Sequence, residues 1–490
     1  MLLIMGVSLF TVRIVLKTLG AEDYGINNVV GGIVAMLGFF TSTMTSASQR
    51  FFAFELGRKN YENLSRYFQL MLLLYVGLGF IVFILSETIG LWFLKTQMVI
   101  PVNRMNAAMW VFHLSIVSFI INMFVIPYNS MIIAYEKMNI YAYVSILEAI
   151  FKLLIVYLLL IVNSDKLIVY AVLMVVVTLV ISLIYISYCT FKFQVCKPAF
   201  YWNKKMFMKL INYSGWSLFG ALSGMVRNQG INILLNIFFN PIVNAARAIA
   251  FQVNNSINLF VTNFYQAVRP QITKQYAAGE HQEMMKLVFR SSKFCYYLIL
   301  FFAIPLLIET PYVLSVWLTD VPKHTILFTR LVIVTSMIES ISYPFMTAIS
   351  ATGKIKWFQI ITGGLLILNL PVSYLFLKLG YPPEITMYVA ICIALLSQVS
   401  RMFFMSSMHK MSITKYLKDI LLVILFISVA SGFMPFIINK FMDFGFSRFL
   451  FVLVTSLFST VITVYLIGLT VSERRSINFF IKGKFQKSTK

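Results

Sequence analysis

The chain has 490 residues, 60% hydrophobic and only 12% charged, where an ordinary soluble domain carries roughly 25% charged residues. Its formal net charge of +23 raises nucleic acid as a partner, but the basic residues are spread over many short loops beside apolar blocks. That placement excludes a nucleic-acid role and points to a membrane.

The apolar residues fall in blocks of about 18 to 30, and about 20 suffice to cross a hydrocarbon core. In chain order the spans lie near 2–19, 25–44, 68–94, 106–133, 140–161, 167–189, 213–239, 242–266, 294–318, 325–349, 357–379, 385–406, 417–438 and 448–470. The expected fold is an all-α polytopic membrane protein of about 14 transmembrane helices, with 25–44 and 242–266 relatively polar. The first block lacks a basic leader and a small-residue cleavage site, so it does not read as a secretory signal peptide. It starts at residue 2, so either the protein begins upstream or Met1 is a late start.

Most Lys and Arg lie after even-numbered spans or in the tail. Examples are Arg58, Lys59 and Arg66; Lys192, Lys197, Lys204 and Lys205; Lys274, Lys286 and Arg290; Lys410, Lys415 and Lys418; and Arg474 and Arg475. That bias places both termini in the cytoplasm. The outward loops are short, and no soluble domain is inserted between spans.

Two echoes reveal a repeat. PYNSMIIAYEK (127–137) aligns with PFMTAISATGK (344–354), and ASQRFFAFELG (47–57) more weakly with AVRPQITKQYAAG (267–279). Two parallel repeats follow, with the axis along the membrane normal. They form two pseudo-symmetric six-helix lobes, 1–190 and 213–409, joined by a basic cytoplasmic linker, 191–212. A C-terminal helix pair (410–472) and a basic cytoplasmic tail (473–490) complete the chain.

Span 8 is the most polar. Asn244, Arg247, Phe251, Asn255, Asn258, Thr262, Gln266 and Arg269 recur at steps of three or four, on one helical face. Span 2 repeats this more gently through Asn28, Gly31, Ala35, Gly38, Ser42, Thr45 and Gln49. Lipid offers such groups no partner, so these faces meet protein, water or substrate, or hydrogen-bond between helices. Arg13 and Arg227 fall mid-span in helices 1 and 7, which are repeat partners, and Asn228, Asn232 and Asn236 follow Arg227 at or near helical spacing. Lys152 and Arg247 lie inside spans 5 and 8. A basic residue at a helix centre costs roughly 2.5–3.5 kcal/mol.

Acids are few. Glu148 precedes Lys152 by four residues, the favourable order for a helix ion pair, and Glu339 is the only other acid deep in a span; both pairing and coupling roles fit Glu148, Lys152 and Glu339. The three arginines lack a sequence-local partner and define a cationic cavity. Arginine suits phosphate through its planar fork. The candidate substrate-binding residues are Arg13, Arg227, Asn228, Asn232, Arg247, Asn255, Asn258 and Gln266. Pro127, Pro305, Pro344 and Pro371 are candidate kinks, and Gly220 and Gly224 a small-residue packing pattern. Cys189, Cys196, Cys295 and Cys392, and the four separated histidines, have no metal-ligand spacing. No phosphate-binding glycine loop is present, and no cofactor is expected.

The segments VRIVLKTLGAEDYGINNVVGG (12–32), SGWSLFGALSGMVRNQGINILLN (214–236) and NPIVNAARAIAFQVNNSINLFVTNFYQAVRPQITKQYAAG (240–279) resemble the polysaccharide-transporter branch of the multidrug/oligosaccharidyl-lipid/polysaccharide exporter (MOP, MATE-like) superfamily. The chain looks most like Wzx-type O-antigen and capsular polysaccharide flippases. The resemblance implies twelve to fourteen helices in two lobes around a cavity faced by helices 1, 2, 7 and 8, with Arg13, Arg227 and Arg247 matching the basic positions there. It implies an undecaprenyl-pyrophosphate-linked oligosaccharide moved across the bacterial inner membrane by alternating access. Implied partners are the lipid-linked oligosaccharide, the bilayer, a polysaccharide polymerase and a chain-length regulator. The alternatives are a cation-coupled multidrug antiporter of the MATE type, which wants acids in the cavity helices where this chain has arginines, and a lipid II flippase. A membrane enzyme would need an outer catalytic loop that this sequence lacks.

Overall fold

The computed structural model describes residues 38–475 apart from 97, 99, 240 and 319, with scattered positions between 11 and 31. The described residues contain no β-strand. They form two compact units, Met1–Leu218 and Phe219–Lys490.

Unit 1 contains α1 (Gly38–Gly57), α2 (Tyr61–Leu85), α3 (Met105–Ala134), α4 (Met138–Ile161), α5 (Lys166–Lys192) and the first part of α6 (Lys204–Phe238). Unit 2 contains the rest of α6, then α7 (Pro241–Ala277), α8 (His281–Trp317), α9 (Thr325–Ser340), α10 (Tyr343–Ala351), α11 (Lys356–Lys378), α12 (Ile385–His409), α13 (Val423–Phe441) and α14 (Phe446–Thr463). Among the described residues, 10 helical segments are long and apolar enough to cross a membrane, so this is a multi-pass membrane protein. They coincide with the predicted spans 3–6 and 9–14. Span 1 falls largely outside the described residues, and span 2 is described at 25–27, 30, 31 and 38–44, its last part being the start of α1. Spans 7 and 8 are α6 and α7, long enough to cross but less apolar because of the polar groups they carry.

Apolar side chains drive these helices together, and their ends are closed by named groups. Asn60 caps α2 by accepting from the Asn63 amide at 3.0 Å. Asp165 caps α5, accepting from the Leu167 amide at 3.1 Å. Arg104 clamps the same carboxylate, from Nη1 to Oδ2 at 2.7 Å, and holds Asp23 through Nε at 2.8 Å. Burial pushes the Asp165 carboxyl up, but the Arg104 guanidinium and the helix amides outweigh it and hold the group below the usual range.

The repeat is written in the backbone. After α1, Lys59 takes a positive φ of 55°, and the Asn60 amide donates to the Glu55 carbonyl at 3.0 Å. After α7, Gly279 takes φ 82°, and the Glu280 amide donates to the Gln275 carbonyl at 2.9 Å. Both are Schellman-type helix ends. The stronger echo behaves alike, with positive φ at Glu136 (60°) after α3 and at Gly353 (75°) after α10. Only the second copy places glycine where the left-handed conformation favours it. Nothing lies within 4 Å of a Cβ built on Gly279, so Gly279→Ala tests the backbone alone. It should lower stability by about 1 kcal/mol, read as a fall in melting temperature in detergent.

Pro305 and Pro311 lie inside α8, and between them Glu309 departs from helical geometry (φ −99°, ψ 21°). Pro311 has no N–H for the Leu307 carbonyl, and Arg330 of α9 donates its Nε to that oxygen at 3.0 Å. The Glu309 side chain is fully buried. Arg448 of α14 lies 2.8 Å from Oε1 and donates from Nη2 to Oε2 at 3.0 Å, and Asn439 of α13 donates to Oε1 at 2.8 Å. The kink thus turns one carboxylate toward the C-terminal pair and fastens both helices. Arg448→Ala would strand the buried carboxylate and should cost about 3–5 kcal/mol; melting should show a far smaller loss for Lys440→Ala on the exposed end of α13.

Candidate functional site

The polar groups of unit 2 converge where α6, α7 and α9 meet α11 and α12. The packing of α6 on α11 is close because glycines face it: a Cβ on Gly220 would meet the Gln359 amide, and one on Gly230 the Leu370 side chain. Gly224, the other half of the small-residue pattern, has open space around it.

Arg227 on α6 donates from Nη1 to Glu339 Oε1 of α9 at 3.2 Å. Arg247, in the second turn of α7 and 5% exposed, donates from Nη1 to Asn232 Oδ1 of α6. Its guanidinium carbon stands 4.4 Å from the centre of the Phe251 ring, and its Nε has no hydrogen-bond partner. Positions 247, 251, 254 and 258 follow helical steps of four, three and four, so Phe251, Asn254 and Asn258 share the inner face of α7. Asn258 donates to Ser336 Oγ of α9 at 3.2 Å. The side-chain oxygens of Asn244, Asn254 and Asn258 and the amide nitrogen of Asn369 are buried without partners. A pocket of about 70 Å³ lies among Arg227, Asn228, Arg247, Asn254, Ser336 and Glu339, room for a few water-sized groups.

Of the residues singled out from sequence, Arg227, Asn232, Arg247 and Glu339 form this cluster, with Asn258 hydrogen-bonded to α9 beside it. Asn228 is at its exposed rim. Asn255 is exposed and absent from the pocket lining, and Gln266 is part-buried further along α7. Arg13 lies outside the described residues. Asn254 was not foreseen, although the spacing from Arg247 would have found it. Arg401 of α12 was also missed; it is 8% exposed and donates to Ser342 Oγ at 2.9 Å. Ser342 bonds Gln398, which donates to the Tyr416 hydroxyl at 2.6 Å. Among the described residues, unit 2 therefore holds Arg227, Arg247 and Arg401 against the single acid Glu339 in this region.

Unit 1 has a cavity of about 750 Å³ among α1, α3, α4 and α5. Its wall is rich in hydroxyls and amides, including Thr45, Ser115, Asn122, Asn129 and Thr178. Glu148 and Lys152 face it as an ion pair at 2.6 Å, the i,i+4 pairing expected from sequence, and the oxygen of Asn129 is buried without a partner. The chemistry of this wall is neutral and hydrogen-bonding, where that of unit 2 is cationic.

The polysaccharide biosynthesis protein family matches residues 1–275, over half of the chain. The chain belongs to that family. No curated protein matches it. Solved structures share the fold of this polysaccharide biosynthesis protein. A crystal structure of MATE in complex with MaD3S has TM-score 0.72 at 13% identity, covering 84% of this chain and 95% of that one. An outward-facing multidrug resistance MATE family transporter of the MOP superfamily has TM-score 0.68 at 13% identity, over 84% and 95%. A MOP superfamily transporter from Pyrococcus furiosus, described by the reverse polarity of its binding pocket, has TM-score 0.67 at 12% identity, over 84% and 94%. The fold is that of MATE-type transporters.

The Arg227–Glu339 contact is open to a direct test of coupling. Arg227→Gln, Glu339→Gln and the double variant, melted in detergent, should show a coupling energy of about 1 kcal/mol. Additive losses would mean that the two groups act separately.

Proposed function

We propose that this protein is a flippase that carries an undecaprenyl-pyrophosphate-linked oligosaccharide, an O-antigen, capsule or exopolysaccharide repeat unit, across the bacterial inner membrane by alternating access. The observation that carries the reading is the excess of arginine over acid in the membrane-embedded pocket of unit 2. Arg247 has an Nε without a partner inside a desolvated site, and among the described residues Arg227 has one ion-pair contact, to Glu339. A pyrophosphate supplies the missing negative charge, and arginine binds it through paired hydrogen bonds. The partnerless amides of Asn244, Asn254, Asn258 and Asn369 suit sugar hydroxyls, as do the hydroxyls and amides of the unit 1 cavity. On this reading Arg13 joins Arg227 and Arg247 as a phosphate contact.

Family membership supports polysaccharide export, and the MATE-type fold supports transport rather than catalysis. The Pyrococcus protein's described reverse pocket polarity gives a precedent for a MOP transporter whose pocket charge and function depart together. A MATE-type multidrug antiporter would want membrane acids for cationic drugs, and here the pocket of unit 2 is basic. The proposal keeps both termini in the cytoplasm. It also keeps the lobe boundaries at 1–190 and 213–409, with the basic linker 191–212 between them and the helix pair 410–472 after them. A polysaccharide polymerase and a chain-length regulator would take up the product.

The test is made in cells. Deleting the gene should accumulate lipid-linked oligosaccharide in the cytoplasmic leaflet and remove surface polysaccharide. Wild type should restore both, Arg227→Ala should restore neither while inserting normally, and Arg227→Lys should restore only part because the fork geometry is lost. Normal surface polymer with Arg227→Ala would overturn the phosphate contact. Unchanged lipid pools with altered drug tolerance would favour the antiporter.

A further inference from the structure

A second charged cavity, of about 750 Å³, lies in unit 2 away from the arginine pocket. Three segments distant in sequence meet there: the start of α8, the stretch leading into α13, and the chain just beyond α14. All three follow even-numbered spans, so the charge bias puts the cavity at the cytoplasmic end of the bundle. Its basic groups are Lys286, Arg290, Lys293, Lys415 and Lys418, and its acids Glu283, Asp419 and Glu473. Lys286 pairs with Glu283 at 2.6 Å, and Arg290 and Lys293 share Glu473 at 3.6 and 3.4 Å. Among the described residues no ion pair involves Lys415 or Lys418.

The interior of the cavity is built for polar contact. Lys293 is 7% exposed, and its ammonium reaches the Gly468 carbonyl at 3.2 Å. The buried side-chain oxygen of Gln275, which lines the cavity, has no partner. Burial pushes the Glu473 carboxyl up, but the Thr470 amide and the Lys293 charge outweigh it and keep the group ionised. Two π-helical segments, Leu417–Leu422 and Val464–Gly468, contribute to the wall, and such segments are frequent at functional sites. A Cβ on Gly468 would stand 2.8 Å from the Tyr297 hydroxyl, which donates to the same Gly468 carbonyl at 3.2 Å.

The surroundings identify the kind of ligand. Ile420, Val423, Ile467 and Leu469 line the cavity beside the lysines. Leu422, Phe426 and Leu466, close to these residues in sequence, are each more than half exposed. Cationic groups next to apolar, lipid-exposed helices match an amphiphile better than a soluble anion. We infer that this cavity binds the phosphate headgroup of an anionic glycerophospholipid of the cytoplasmic leaflet. Lys415 and Lys418 meet the phosphate, Gln275 accepts from a headgroup hydroxyl, and the acyl chains lie along α13 and α14. The inference is independent of the flippase reading.

The full chain, purified in a neutral detergent, is titrated with phosphatidylglycerol, phosphatidylcholine or inorganic phosphate and examined by native mass spectrometry and melting. One phosphatidylglycerol should be retained per chain and should raise the melting temperature, while phosphatidylcholine is not retained. Each basic residue near an anionic surface is worth about a factor of five, so Lys415→Gln/Lys418→Gln should weaken retention roughly 25-fold. Lys415→Arg/Lys418→Arg should keep it, and Lys204→Gln/Lys205→Gln at the start of α6 should leave it unchanged. If the double glutamine variant does not fold, Lys418→Gln alone carries the test. Equal retention of phosphatidylcholine, or equal weakening by the Lys204 and Lys205 changes, would overturn the site. Displacement of the lipid by millimolar inorganic phosphate would overturn the lipid as its ligand.

Discussion

Positive charge held inside a membrane-spanning bundle, with too little acid to neutralise it, is the constraint on which the rest of unit 2 depends. Hydrocarbon gives Arg227 and Arg247 no partner, so α6 and α7 must turn those faces toward protein. That requirement explains why these two helices fall below the apolarity of the other spans. It also explains why α6 approaches α11 through Gly220 and Gly230. Glu339, Asn232, Ser336 and the Phe251 ring then take what the arginines and asparagines offer, and still do not exhaust it. A buried polar group left unsatisfied costs about 1–3 kcal/mol. Several such atoms in one pocket are hard to reconcile with a purely structural role.

The contrast with the other ion pairs sharpens the point. Arg104 is saturated by Asp23 and Asp165, and Asp165 also caps α5. Glu309 is saturated by Arg448 and Asn439. In both, every charged group meets one of opposite sign, and the groups tie distant segments together, as fastenings do. Arg247 has a hydrogen bond to a neutral amide and a ring beneath it, but no carboxylate among the described residues. The difference between a fastening and a site is whether each buried cation meets a carboxylate.

The helical architecture was legible because apolar blocks of spanning length carry it directly, and the echo between 127–137 and 344–354 was legible from matched Pro, aromatic, hydroxyl, Ile, Ala and Lys positions, whereas the left-handed position itself differs, Glu136 against Gly353. Glu148 and Lys152 were readable as a pair from their spacing of four. The partner of Arg227 was not, since Glu339 lies 112 residues away and no local rule links them. The polar stripe of α7 was read as one face, whereas the structure turns Arg247, Asn254 and Asn258 inward and leaves Asn255 exposed. A stripe of seven polar positions and Phe251 on a helix this long is wider than the contact it makes, and only the packing of α9 selects its buried edge. Arg401 escaped because it sits near the end of a span, where snorkelling is the ordinary expectation. The kink at Glu309 lies between Pro305, which the sequence reading singled out, and Pro311, which it did not, and its use, aiming a carboxylate at α13 and α14, depends on Arg448, 139 residues on.

The two units share a duplicated backbone grammar yet have diverged in chemistry. The second copy resolves its helix-ending turns with Gly279 and Gly353, where the first tolerates Lys59 and Glu136. The first keeps a roomy cavity of hydroxyls and amides with one internally neutralised ion pair, and the second keeps a small pocket with net positive charge. On the proposed function the hydroxyls and amides of unit 1 suit glycan and the cations of unit 2 suit pyrophosphate, each desolvated by its own set of groups. The division of labour then follows from the cost of burying charge: concentrating the cations in one unit limits the desolvated charge to the place where a phosphate can repay it.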